Sequence, residues 1–462
     1  MIKWEEISWP EFGVSEDRPT ILKKEYESRI KDTVKVMRTR DIDALVVYGD
    51  REHFANVAFL TGFDPRFEEA LYLLDRNGKQ LLIVGNEGVG YANISPLDID
   101  VELCQTFSLL GQQRGSSKSV LRILSEFIEE GMKIGCVGWK YFTAEEVNNP
   151  NINIEIPSFL TDSLRTIVGK KHVVNANDIF MNPVNGLRIR NSAAQIAVFE
   201  DASTWTSTSI KEAIFNLRTG IREYEVARFF NNGGIPLSCH AMVSTGDKVR
   251  KLGLSSPSDK KIRVGDPIVM ALGVTGALTC RAGFVAREWN DIPKLVRSYY
   301  KSLAENYFEV ISTWYESLAI GRKAGEVFKA VDEKRSDELF EFAYPPGHYV
   351  HLDEFVHTPF VGESNVELVS GAYLNSDIIP MPKSPGTFCY VNVEDGVVLA
   401  DEALRDEIGR RYPQCWNRIQ ERRQFLRDEL RIKIRPEVLP LSNIPAIFPP
   451  LFLMPETILK NV

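Results

Sequence analysis

Paired cysteines are missing from this sequence. The six it has, at 104, 136, 239, 280, 389 and 415, stand far apart, with no CxxC among them. That pattern excludes a disulfide scaffold or zinc ribbon and leaves free thiols, so a reducing, cytoplasmic setting is expected. Long apolar runs are missing too. None approaches the roughly 20 residues of a membrane-spanning helix, and the opening stretch 1–12, MIKWEEISWPEF, lacks a secretory-signal pattern. A basic excess is also absent: 55 Lys and Arg against 63 Asp and Glu leave a net charge of −8, with a pI near 5.5. This argues against a general binder of nucleic acid or anionic membrane. The basic stretch 418–431 alternates with glutamates and reads as a helix surface. Nothing is repeated or low in complexity.

What is present is ample apolar material. The hydrophobic share of 44% and charged share of 26% are those of a globular protein with full cores, and 462 residues imply two or three domains.

Residues 1–20, with two tryptophans, read as an extended arm on a surface. A helix is expected over 22–40, then a buried strand at 44–48 and an amphipathic segment at 54–60 stopped by Gly62. Strands at 70–74, 81–84 and 134–138 alternate with a helix at 118–130, giving an α/β domain over 1–175. The polar run 170–178 marks the boundary. Beyond it, helices are expected at 191–217, 291–318, 321–337 and 414–430, and strands at 241–244, 264–272, 278–285, 373–380 and 387–399. This makes an α+β domain over 176–430 with a curved antiparallel sheet. Residues 431–462 read as a proline-rich tail.

Several segments carry a family resemblance. The stretch 48–62, YGDREHFANVAFLTG, looks like an N-I-x-Y-L-T-G segment. Arg188–Arg190 and 217–223, LRTGIRE, look like the entry to a catalytic domain. The stretch 240–246, HAMVSTG, matches H-x-x-x-S-x-G, and Gly265-Asp266 through Arg281 occupies the place of a G-D-x-V-x-x-D-x-G…D hairpin. Gly347-His348 matches the start of G-H-x-x-G, and Val393-Glu394-Asp395 matches E-D-x-V-x-V. In this order, over about residues 20–425, the chain resembles the creatinase/prolidase/aminopeptidase P family. The resemblance implies an α/β N-terminal domain followed by an α+β pita-bread domain, and a homodimer.

Typical members hold two divalent metals with two Asp, one His and two Glu. Here Ala271 stands where the first Asp belongs, and Cys280 or a neighbour where the second belongs. Ile379 replaces one glutamate, and only His348 and Glu394 remain in place. Two ligands of five do not hold a dinuclear centre, so the expectation is no metal ligands and no cofactor, with a divalent metal the weaker alternative. Creatinase, which hydrolyses a C–N bond without metal, is the precedent. By that resemblance His240 is the general acid/base, with Glu394 and Glu354 assisting it. The groups expected to bind a small amino- or guanidino-type substrate are Asp377, Arg281, His348, His351, His357 and Arg66.

Each residue has a plainer reading. His240 can be a capped histidine at a strand edge, and His348 a turn residue after Pro345-Pro346-Gly347. His351, Glu354 and His357 make a poor metal spacing. Arg281 can be a bridge to Glu394 or a carboxylate binder; the adjacent Cys280 reads first as a small buried apolar residue, although Arg281 would lower its pKa and favour a nucleophilic thiolate. Arg66, with Phe67, Glu68 and Glu69, can be a solvated turn. Three functions remain open: a metal-independent C–N hydrolase, an Xaa-Pro dipeptidase or aminopeptidase with a rebuilt metal site, and a non-catalytic relative that binds a ligand or partner.

Overall fold

The computed structural model describes residues 2–384 and 389–462; the first two positions of the strand expected at 387–399 lie outside them. The chain forms two compact units, Ile21–Ile189, and Met1–Thr20 together with Arg190–Val462. The boundary therefore falls at 189/190 rather than 175. The polar run at 170–178 conceals a short strand, Val173–Asn175, which pairs in parallel with Ile134–Val137 and closes the sheet of the first unit.

That sheet has six strands, in the order Asp100–Leu103, Gln80–Val84, Ala70–Asp75, Ala44–Gly49, Ile134–Val137, Val173–Asn175. The central strand Ala44–Gly49 is buried along its whole length, as expected for an apolar run with neighbours on both sides. Helices Lys23–Thr39, Val120–Phe127 and Ser158–Val168 accompany it, and Ser119 caps the second of these by accepting a hydrogen bond from the Arg122 amide.

In the second unit, one antiparallel sheet runs Asn392–Glu394, Ala277–Phe284, Pro267–Val274, Met242–Thr245. A second runs His348–Tyr349, Tyr373–Asn375, Gly396–Leu399, Val438–Pro440. Helices Ala193–Phe215, Arg297–Ser317, Ala324–Asp332, Glu402–Arg411 and Pro413–Asp428 complete it. The expected strand at 373–380 is shorter, and the chain continues to a second short strand at Pro380–Pro382.

Two expectations fail here. The residues after 430 are no tail: Leu439, Leu441, Ile444, Ile447, Phe448 and Phe452 are buried, and Thr457–Asn461 pairs with the N-terminal strand Ile2–Glu6. Prolines interrupt the periodicity, but the apolar side chains still find the core. The basic helix is no simple surface either. Arg418 and Arg422 turn inward to the fully buried carboxylate of Glu200, with nitrogen–oxygen distances of 2.5 and 2.7 Å. A buried carboxylate requires such partners. No helix among the described residues is long and apolar enough to cross a membrane.

Candidate functional site

The hairpin Pro267–Val274/Ala277–Phe284 is the floor of the candidate site. Its register places Met242 opposite Ala271, Ala271 opposite Cys280, and Cys280 opposite Glu394, a single row across four strands. Side chains in one such row share a face, so Ala271 and Cys280 are the row-mates of Glu394. Both are buried in an apolar cluster with Met242, Val269 and Leu278. The Cys280 thiol is pushed far up by burial and by the nearby carboxyls of Glu394 and Asp377, and the guanidinium of Arg281 offsets only part of this. Cys280 is therefore a buried, protonated thiol, in keeping with its reading as a small apolar residue and not with the thiolate that the adjacent Arg281 would favour.

Arg281 faces the other side of the strand and is wholly buried. Its Nη2 lies 2.7 and 2.9 Å from the two carboxylate oxygens of Asp395. The remaining donors reach the carbonyls of Ile447 at 2.8 Å, Cys280 at 2.7 Å, Glu394 at 3.2 Å and Ile444 at 2.5 Å. Nothing is left over for a substrate carboxylate. Arg281 is a structural bridge, and its partner is Asp395 rather than Glu394.

His348 enters from the second sheet, where it sits opposite Asn375. Gly347, with φ +99°, makes the turn that aims it. A Cβ there would meet the Asn375 carbonyl at 2.8 Å and the Trp314 ring at 3.0 Å, so the position suits only glycine. The Gly347 amide donates to the Asp377 carbonyl at 2.8 Å. The His348 ring is 2% exposed and stacks on Phe355 at 4.5 Å. Its Nδ1 lies 3.2 Å from the Tyr349 carbonyl, an acceptor that can only take a proton. This fixes the tautomer with Nε2 as a bare lone pair. Nε2 lies 3.9 Å from both Asp377 Oδ2 and Glu394 Oε1 and has no hydrogen-bond partner among the described residues.

Glu354 arrives on the loop 350–356. The Tyr349 amide donates to the His357 carbonyl at 2.8 Å and the Val356 amide to the Tyr349 carbonyl at 3.0 Å, pinning the base of that loop. Ligand atoms of His348, Glu354 and Glu394 lie within 4.8 Å of one another. The Glu394 carboxylate accepts from Asn375 Nδ2 at 2.7 Å, and Asp377 Oδ1 has no partner among the described residues.

The electrostatics follow from packing acids together away from water. Burial, then Asp377, Glu354 and Asp395, raise Glu394 well above the carboxylate range. Burial, then Glu354, push Asp377 up to about 7. Glu354 is raised by burial and by Asp353, and burial takes His348 down to about 4.

The other expected residues lie differently. His240 is exposed, with no hydrogen bond or ion pair to another described residue. Its neighbours Ser238 and Cys239 press against the bare Cα of Gly273. His351 is fully buried and packs edge-on against Phe199 at 5.1 Å, whose ring stacks on Tyr373 at 4.7 Å. His357 is half-buried, with Nδ1 3.0 Å from the Thr358 carbonyl. Arg66, in the first unit, lies exposed over the Tyr91 ring at 4.1 Å. Its loop is not wholly solvated, since buried Glu68 accepts from the Gly88 amide at 3.0 Å. Sequence reasoning missed Asn375 and Tyr307. The Tyr307 hydroxyl donates to the Ile378 carbonyl at 2.8 Å and accepts from the Val393 amide at 3.0 Å, tying together the segments that carry Asp377 and Glu394.

Residues 29–149 match the Creatinase/Prolidase N-terminal domain. No curated protein sequence matches the chain. Among solved structures, a prolidase from Pyrococcus horikoshii OT3 is 19% identical, with 81% of this chain and 95% of that chain covered and a TM-score of 0.61. A prolidase from Thermococcus sibiricus is 18% identical, with 82% and 95% covered and a TM-score of 0.63. An X-Pro aminopeptidase from Thermotoga maritima MSB8 is 16% identical, with 81% and 95% covered and a TM-score of 0.59. The chain carries a creatinase/prolidase N-terminal domain and has the pita-bread fold of the prolidases and aminopeptidases P.

Proposed function

We propose that this protein hydrolyses amide C–N bonds in small peptides of the Xaa-Pro type, at the cluster formed by His348, Glu354, Asp377 and Glu394. The observation that carries the reading is the convergence of three carboxyl groups on a buried imidazole nitrogen with no partner. A cluster of this kind costs stability and is found where chemistry needs it. The similar structures include a prolidase and an X-Pro aminopeptidase, and this supports the choice of bond.

Hydrolysis adds the oxygen of water to the amide carbon, removes one proton from that water and delivers one to the departing nitrogen. Asp377 is the group for both transfers. Its Oδ1 is unengaged among the described residues, and in the ion-free chain burial beside Glu354 pushes its carboxyl up to about 7, the range in which a carboxyl both accepts and donates near neutrality. Asn375 orients Glu394, and Phe355, stacked on His348, supplies an apolar wall. The donor set fits a divalent cation, since His348 Nε2, without a hydrogen-bond partner among the described residues, faces carboxyl oxygens of Asp377 and Glu394 at 3.9 Å. When bound, such an ion would polarise the scissile carbonyl and lower the pKa of the attacking water.

A second reading, metal-independent hydrolysis of a small amino- or guanidino-type compound, draws on the apolar pair Ala271 and Cys280. Homodimerisation belongs to the proposal in either case and is tested by sedimentation equilibrium. An assay of the purified chain on prolyl and non-prolyl dipeptides and on guanidino acids, with chelator or with added Mn²⁺, separates the two. Cleavage of Xaa-Pro dipeptides is expected. Turnover of guanidino compounds alone, insensitive to chelator, would replace the first reading by the second.

A further inference from the structure

We propose that His348, Glu354 and Glu394 together bind a single divalent cation, with Glu354 supplying from the 350–356 loop a carboxylate that the hairpin floor lacks. This rests on the cluster being the reactive centre. Three observations lead to it.

The first is the facing of acceptors. His348 donates through Nδ1 to the Tyr349 carbonyl, so Nε2 presents a lone pair to Glu394 Oε1 at 3.9 Å. Two acceptors at that separation do not bond to each other, and a cation between them satisfies both. A cation bound at about 2.1 Å by each holds its donor atoms about 3 to 4.2 Å apart, which is the observed spacing for this pair. The Nε2 atom is itself buried and has no hydrogen-bond partner among the described residues.

The second is the outer support. A metal-binding carboxylate is held by a further hydrogen bond, and Asn375 gives Glu394 one at 2.7 Å. The Tyr349 carbonyl does the same for His348. The Tyr349–His357 bridge at the base of the loop holds Glu354 in reach.

The third is the floor. In the row Ala271–Cys280–Glu394 only Glu394 offers a carboxylate, and the buried Cys280 thiol is not among the converging ligand atoms. With Asp377 assigned to proton transfer, that leaves donors for one ion of the kind that accepts imidazole and carboxylate together, such as Mn²⁺, Co²⁺ or Zn²⁺.

The test uses the full chain, stripped with chelator, dialysed and titrated with Mn²⁺ by calorimetry, with elemental analysis after gel filtration. Melting of the ion-free forms checks folding. The wild type is expected to take up about one ion per chain. Glu354→Gln is expected to melt as the wild type does without metal but to bind roughly tenfold or more weakly, and Glu394→Gln gives a second, independent loss. Uptake of two ions, no uptake, or unchanged affinity in Glu354→Gln overturns the inference. Dipeptide hydrolysis by a chain that takes up no ion would sink the single-ion site and leave the proposed function standing. Tight binding of one ion without hydrolysis would do the reverse.

Discussion

Arg281 and Asp395 form a wholly buried ion pair, with Nη2 2.7 and 2.9 Å from the two carboxylate oxygens. The Ala446 amide donates to the same carboxylate at 2.9 Å. The pair fastens residues 444–447 beneath the strands that carry Cys280 and Glu394. Removing either partner strands a charge in the core, which costs about 3–5 kcal/mol. Arg281→Met and Asp395→Asn are expected to lose that much in urea denaturation. A loss of affinity for substrate at unchanged stability would instead restore Arg281 to the binding site.

Asn375 is expected to act through Glu394. Asn375→Ala removes a hydrogen bond to a carboxylate, worth about 1.5–3 kcal/mol, and lets Glu394 turn. The predicted result is a fall in kcat of roughly tenfold or more with KM little changed, together with weaker Mn²⁺ binding. Steady-state kinetics and calorimetry read the two effects separately.

Tyr307→Phe deletes the hydroxyl that joins the Ile378 carbonyl to the Val393 amide. Both groups are then buried without this partner, at a cost of about 1–3 kcal/mol. Thermal melting should show the loss, and an unchanged Tm would mean that other groups or water serve these positions.

Without metal, Asp377 gives a definite pH dependence. Its folded pKa of about 7 lies above the ordinary carboxylate value of 3.8. The unfolded chain therefore releases this proton near pH 4, while the folded chain keeps it until about pH 7. The folded state binds more protons across that window, so this group's contribution to stability falls as pH rises from 4 to 7. His348, lowered to about 4, works in the opposite sense and loses stability as pH falls below its ordinary 6.5. Asp377→Asn separates them. In chelator, the variant is expected to gain on the wild type by a few kcal/mol between pH 4 and 7, and equal slopes would contradict the shift.

Part of this is legible in the sequence. The hairpin at 264–285 announced itself by an apolar run broken at Gly273 and Gly276, and both strands extend a little further into the turn than expected. His348 and Glu394 stand at matched motif positions, and the structure brings them within 3.9 Å of each other. The pairing of Arg281 was misplaced by one residue, which in a strand means the opposite face. Arg281 lies opposite Val393, so Asp395, two residues on, shares its side while Glu394 does not. Glu354 was visible as a residue, but its arrival beside His348 depends on a loop closed by Tyr349 and His357, which no periodicity encodes. Asn375 left no signal, because its role depends on sheet pairing with His348.

The most direct measurement is kcat/KM on the best Xaa-Pro dipeptide for the wild type and Asp377→Asn, each with Mn²⁺ and each shown to be folded. The account predicts measurable cleavage by the wild type and a loss of roughly 10²–10⁴-fold in the variant, the usual size of an acid–base contribution. Equal rates in the two proteins, or no cleavage of any peptide by the folded, metal-loaded wild type, would contradict it.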